Sequence, residues 1–224
     1  MNKITSIAEL EALYGEAVPA SLEKVRDHIT PLYAQWIMAS KFLVLSTVGS
    51  EGTDASPRGD DGPVVSIKDD KTLLLPDWRG NNRLDSLRNI VIDGRVSLMF
   101  MIAGNNNVVR VNGDAILTTD DSVTTQFTQR ETHPRSVVVV SVREVYFQCA
   151  KALMRSGLWR ADHLNDVPAE SEPATADTTA SAYQNPAVTS TVPTAGEFIK
   201  EQNHEFDAEG YDSGYAEYAK PRMW

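Results

Sequence analysis

Residues 95–118 read RVSLMFMIAGNNNVVRVNGDAILT, and this stretch decides the fold. Two runs rich in Val, Ile, Leu and Phe, 95–103 and 107–118, have strand composition. Between them Gly104-Asn105-Asn106-Asn107 supplies residue types that tolerate positive φ, so the connection reads as a hairpin and the two strands as antiparallel. Working outward, the same composition recurs at 41–48 (KFLVLSTV), 63–67 (PVVSI), 72–76 (TLLLP) and 136–148 (SVVVVSVREVYFQ). Turn residues at Gly49–Gly52 and Asp69–Lys71 punctuate them. Most neighbouring strands are joined by turns rather than crossover helices, which favours an antiparallel barrel over a doubly wound parallel sheet. Six strands make a small, partly open barrel, mainly β with flanking α.

Helical segments surround this core. Ser6 and Glu9 fit a capping box ahead of Ile7, Leu10 and Leu13. Ser21 can cap a second helix with Leu22, Val25 and Ile29 as its stripe. Thr30-Pro31 is an N-cap followed by proline at the first helical position, opening a third helix with Leu32, Trp36 and Ile37. Residues 81–92 place Leu84, Leu87 and Ile90 or Val91 on one face. Asp120-Asp121 opens a helix over 120–130, and 149–157 (CAKALMRSG) is stopped by Gly157. Residues 165–195 contain no Lys, Arg, Leu, Ile, Phe or Trp and four prolines. Such a stretch cannot bury enough apolar area to order itself, so a linker is expected. Thr194 and Glu197 form another capping box, and the end carries Phe206, Tyr211, Tyr215, Tyr218 and Trp224. The expected organisation is N-terminal helices packing on the barrel (1–40), the barrel domain (41–160), a linker (161–193), and a helix with an aromatic tail docking on the barrel or a partner subunit (194–224).

Composition removes whole classes of function. The chain has 224 residues, 21 Lys plus Arg against 31 Asp plus Glu, a formal charge of −10, and one cysteine. A disulfide within the chain and a multi-cysteine zinc site are excluded. Net acidity disfavours nucleic acid and membrane surfaces, and no apolar run is long enough to span a bilayer. A cytoplasmic protein is expected. The acidity is concentrated: residues 1–160 sum to −1 and residues 161–224 to −9. A near-neutral body can still focus arginines on one phosphate.

Two clusters offer that focus. Ser56-Pro57-Arg58 follows the first strand and turn. Pro76-Asp77-Trp78-Arg79-Gly80-Asn81-Asn82-Arg83 lies where a strand ends and a helix begins. Free backbone N–H groups and the helix dipole favour an anion there. Gly80 permits close approach, Asn81 and Asn82 offer amide donors, and Arg58, Arg79 and Arg83 offer guanidinium forks suited to phosphate. The alternative is a turn and a helix cap with surface arginines, with Arg58 paired to the Asp60-Asp61 doublet. The four histidines, His28, His133, His163 and His204, have no metal-ligand spacing. Cys149 reads as a buried, inert thiol. Hydrolase, NTPase and classical dehydrogenase motifs are absent from the sequence.

The order strand, turn, Ser56-Pro57-Arg58, two strands, Leu75 to Leu84, then Arg95 to Phe100 and Val109 to Ala115 resembles the FMN-binding split barrel of the pyridoxamine 5′-phosphate oxidase-like superfamily. Phe147 to Arg155 with Leu158-Trp159 resembles one bacterial branch of it. The resemblance covers residues 35–160, and the tail more loosely. It implies an antiparallel six-stranded split β-barrel and a homodimer with an FMN site at each side of the interface. By position, Arg58 would contact the flavin phosphate or ribityl chain, and Asn81, Asn82 and Arg83 fall on the family's phosphate-binding triplet, with Arg79 one step outside it; Ser56 is a small donor beside this cradle. Arg110 would approach from the partner subunit, and Lys151, Arg155 and Trp159 would line the ring end or the substrate side. Residues 59–63 (GDDGP) replace a segment that carries a basic residue in the oxidase proper, and the Arg-Leu-His-type signature for pyridoxal phosphate is missing. The resemblance therefore implies FMN binding more firmly than vitamin B6 oxidation. Three readings follow: an FMN-dependent oxidoreductase acting on a small molecule, a flavin carrier or sensor without turnover, and a split barrel using deazaflavin or haem.

Overall fold

The computed structural model describes residues 1–80, 82–159 and 192–219. Residues 161–191 of the expected linker and the final residues 220–224, Trp224 included, lie outside them, and so does Asn81; Val192 and Pro193, the last two residues of that linker, are described and at least half-buried.

Seven strands form one antiparallel sheet. They are β1 (Phe42–Gly49), β2 (Gly52–Gly59), β3 (Ser66–Asp69), β4 (Thr72–Asp77), β5 (Arg95–Met101), β6 (Val108–Thr118) and β7 (Ser136–Gln148). Their order is β2-β1-β5-β6-β7-β4-β3, with β2 and β3 as edges. The split-barrel class holds, with one strand more than the sequence suggests. The addition is β2, GTDASPRG, which has no run of β-formers. It is held by pairing with β1, Gly49↔Gly52 through Phe42↔Gly59.

Strand side chains alternate between faces. Leu43 and Leu45 of β1, Leu98 and Phe100 of β5, and Val109 and Val111 of β6 are fully buried in one core with Leu73, Val138, Val140 and Val145. Gly113 sits at a bulge in the β6–β7 ladder. A Cβ there would run into the Ser141 carbonyl oxygen, so only glycine fits.

Helix α1 (Ile7–Tyr14) is capped by Ser6, whose side chain accepts from Glu9 N–H, yet it buries no residue. Its stripe Ile7, Leu10 and Leu13 is exposed. The second helix, α2 (Pro19–Glu23), begins before Ser21, which donates to the Val18 carbonyl instead of capping. Helix α3 (Pro31–Ala39) has the expected Thr30 cap and buries Tyr33, Trp36 and Ile37. Helix α4 (Asp85–Ile92) links β4 to β5 and buries Ser86 and Ile90. Helix α5 (Asp121–Thr124) is shorter than the 120–130 expectation, because the chain then turns into a tight hairpin with Gln129 bridged to Thr132. Helix α6 (Lys151–Ser156) stops at left-handed Gly157.

The C-terminal pair closes the core. Thr194 and Glu197 form the expected capping box of α7 (Ala195–Lys200). Phe198 on α7 is fully buried and stacks on Tyr33 (4.6 Å between centroids) and Phe147 (5.3 Å). The aromatic tail forms a further helix, α8 (Ala208–Ala219), with Phe206, Tyr211, Tyr215 and Tyr218 in sequential ring contact. Among the described residues no helix is long and apolar enough to cross a membrane.

Candidate functional site

The register of β1 with β2 sets Ser56 opposite Leu45 and Arg58 opposite Leu43. Asp54, Ser56 and Arg58 are therefore half-buried on the inner face, while Thr53, Ala55 and Pro57 are exposed. The pairing of β4 with β7 sets Asp77 opposite Ser136. These strand ends and the start of α4 enclose a groove of 730 Å³, within the range of about 300–1,000 Å³ usual for small-molecule sites. Its lining includes Ser56, Arg58, Arg79, Asn82 and Arg83, five of the six residues expected to hold a phosphate and all of them that the structure describes.

Arg58 anchors the groove. Its Nη1 donates to Asp77 Oδ1 at 2.6 Å, with the two side chains 21% and 19% exposed. The carboxylate fixes the guanidinium plane, but the Arg58 Nε–H is buried with no hydrogen-bond partner among the described residues. Leaving such a donor unmatched costs about 1–3 kcal/mol, and an anionic oxygen would satisfy it. Asp60 does not pair with Arg58 as the sequence allowed. It accepts from Trp78 Nε1 at 2.8 Å and from Gln129 Nε2 at 3.2 Å.

Gly80 and Asn82 shape the mouth. A Cβ on Gly80 would meet nothing within 4 Å, and Asn82 takes a left-handed φ of 59°. Helix α4 has no side-chain cap, since its N-cap position is Leu84, so its first-turn N–H groups remain donors. Arg83 is exposed and its Nε meets Asp85 at 2.5 Å. That hydrogen bond, and then the charge of Asp85, raise the guanidinium's pKa. Arg79 forms no ion pair with a described residue, and neither does Arg135, which sequence reasoning missed. Arg135 joins the groove because it precedes Ser136, the partner of Asp77; its signal lies in strand pairing rather than in a local motif.

A second cavity, of 860 Å³, adjoins the groove. Arg79, Arg130, His133 and Arg135 contribute to it along with Asp60, Asp61 and Gln129. Trp78, Arg79 and Arg135 line both spaces. Arg130 and Glu131, at the turn of the Gln129–Thr132 hairpin, both hold positive φ (48° and 62°).

The remaining expected residues do not reach the groove. Arg110 stands near the start of β6, over the Tyr146 ring at 5.3 Å and within 3.5 Å of Gln148. Lys151 lies 5.9 Å from the centre of the Tyr218 ring on α8. Trp159 is half-buried and donates from Nε1 to the Asn105 carbonyl at 2.8 Å. Arg155 is exposed at the end of α6. This second group lies where β6 starts and β7 ends, whereas the groove takes in Thr119 and Ser136 at the opposite ends of those strands. Eight residues of β6, 111–118, lie between Arg110 and Thr119, so the two stand about 30 Å apart along the strand at the usual rise. Cys149 is exposed rather than buried, because the β7 alternation that buries Val145 and Phe147 ends before it.

The sequence profile of the family described as pyridoxamine 5′-phosphate oxidase matches residues 29–149, more than half of the chain. A search of curated proteins finds no match. Among solved structures, HupZ of Group A Streptococcus is 20% identical, with 52% of this chain and 91% of that chain covered and a TM-score of 0.43. General Stress Protein 26 from Bacillus anthracis is 16% identical, with 50% and 87% covered and a TM-score of 0.38. An FMN-binding protein from Syntrophomonas wolfei is 15% identical, with 63% and 97% covered and a TM-score of 0.40.

Proposed function

The chain belongs to the pyridoxamine 5′-phosphate oxidase family, whose members bind flavins, and on that footing we propose that it binds FMN in the Arg58 groove and serves as an FMN-dependent oxidoreductase for a small molecule. The observation that carries this reading is the gathering of Arg58, Arg79, Arg83 and Arg135 around one groove, with the Arg58 Nε–H lacking a hydrogen-bond partner among the described residues. That donor set suits a single phosphate dianion. Guanidinium forks and backbone N–H groups match its oxygens, and Ser56 and Asn82 add neutral donors beside it.

Arg58, held by Asp77, would keep the phosphate in one orientation without having to order a free side chain. Arg79 and Arg135 would neutralise the remaining charge. When bound, the flavin supplies hydride transfer at N5, and the protein's part is orientation and electrostatics.

The ring end implies a second copy of the chain. Arg110, Lys151, Arg155 and Trp159 stand about 30 Å along β6 from the groove, farther than one FMN extends. In a two-fold homodimer with β6 strands running oppositely, one protomer's groove can face its partner's second group.

The test is the cofactor itself. Purified protein should show flavin absorbance, and mass spectrometry of the released cofactor should give FMN. A deazaflavin or haem in its place would overturn the assignment. Stopped-flow mixing with NADH or NADPH then separates an oxidoreductase, whose flavin is reduced, from a carrier, whose flavin is not. Sedimentation showing only monomer would remove the shared site.

A further inference from the structure

Trp78 forms the common wall of three spaces: the 730 Å³ groove, the adjoining 860 Å³ cavity, and a 160 Å³ cleft beside Arg58 and Leu75. Its indole is pinned. Nε1 donates to Asp60 Oδ2 at 2.8 Å, and Asp60 Oδ1 accepts from Gln129 Nε2 at 3.2 Å and from Asp61 N–H at 2.7 Å. The wall thus ties β4's exit to the segment after β2 and to the β6–β7 connection. A carboxylate with three donors holds its geometry more firmly than a single hydrogen bond would.

The wall stands beside the arginines that suit the phosphate. Behind it lies room lined by Arg79, Arg130, Arg135 and His133, enough positive charge for a second phosphate. Asp60 and Asp61 line that same room and set negative charge at its entrance, Asp60 on the indole itself. A flavin ending in one phosphate stops at the wall. A flavin extended beyond that phosphate, as FAD is by its AMP moiety, would have to pass it.

We propose that Trp78, locked by Asp60 and Gln129, is the specificity-determining residue that restricts the site to the mononucleotide and shuts the adenylated flavin out of the cavity behind it. This rests on the FMN reading and adds the residue that sets the boundary. The exclusion is steric through the indole and electrostatic through Asp60, so it is specificity by an obstructing element rather than by extra attraction.

The experiment is equilibrium titration of the apo-protein with FMN and with FAD, followed by flavin fluorescence. In the wild-type chain FAD should bind at least about 100-fold more weakly than FMN. Trp78→Ala should bring that ratio within about 10-fold, by opening the groove to the cationic cavity. Asp60→Asn keeps an acceptor for the indole N–H while removing the charge, and should lower the ratio part way. Circular dichroism checks that each variant is folded; if Trp78→Ala is not, Asp60→Asn decides. Equal wild-type affinity for the two flavins, or an unchanged ratio in the folded variants, overturns the inference alone. A wild-type chain that binds neither flavin overturns the FMN reading with it.

Discussion

Replacing Arg58 by alanine separates what this side chain does for the fold from what it does for the ligand. Arg58 and Asp77 meet at 2.6 Å and each is about one-fifth exposed. Removing one partner of a fully buried pair costs about 3–5 kcal/mol, and the residual exposure here lowers that to about 2 kcal/mol. Urea unfolding of the apo-protein reads this loss. The ligand term is separate: a charge-assisted hydrogen bond is worth about 1.5–3 kcal/mol, so the FMN dissociation constant should rise about 10- to 150-fold. The double variant Arg58→Ala/Asp77→Asn removes the stranded carboxylate charge and should recover most of the stability, but none of the affinity. Flavin fluorescence titrations of both variants at one ionic strength complete the comparison. If Arg58→Ala binds FMN within about threefold of wild type, less than the loss of one such bond, the guanidinium is not in the phosphate site. If the double variant regains affinity along with stability, the single variant's defect is one of folding.

Phe198→Ala should cost about 3–5 kcal/mol, because the ring is fully buried between Tyr33 and Phe147; a melting temperature within a degree of wild type would mean that α7 is not part of the core. Gly113→Ala drives a methyl group into the Ser141 carbonyl and should cost at least about 1–3 kcal/mol in chemical denaturation, with no loss contradicting the bulge register. Asp27 accepts from His28 and from Lys71, which hold its carboxyl at about 2 against an ordinary 3.8. A depressed carboxyl pKa stabilises the fold above the unfolded-state value and loses that contribution as the pH falls from about 4 to about 2. The gap in urea midpoint between wild type and Asp27→Asn should therefore close over that window, and a gap of constant size would refute the assignment.

The parts of the fold that were legible in the sequence are those where chemistry is local. Thr30-Pro31, Thr194 with Glu197, and Gly157 each mark a helix boundary through a backbone group that one neighbouring residue satisfies or one dihedral that glycine permits. The hydrophobic strands were visible for the same reason. Strand β2 was hidden because an edge strand needs little hydrophobicity; its identity follows from pairing with β1. Helix α8, AEGYDSGYAEYA, carries two glycines, and its order comes from aromatic contacts along the helix rather than from propensity. At the site, Arg79 and Arg83 were readable as a strand end feeding a helix, and Arg58 as an arginine following the first strand and turn. Arg135 was not, since only the Asp77↔Ser136 pairing brings it there. The pairing of Arg58 with Asp77 rather than Asp60 likewise depends on which strand ends meet.

The most direct test of the central claim, a groove whose arginines grip a flavin's phosphate, is to titrate the apo-protein with FMN and with riboflavin, which differ by that phosphate alone. The account predicts one FMN bound per chain and riboflavin at least about 10-fold weaker, the loss expected for one charge-assisted contact. Equal affinity for the two, or no binding of either, would contradict it.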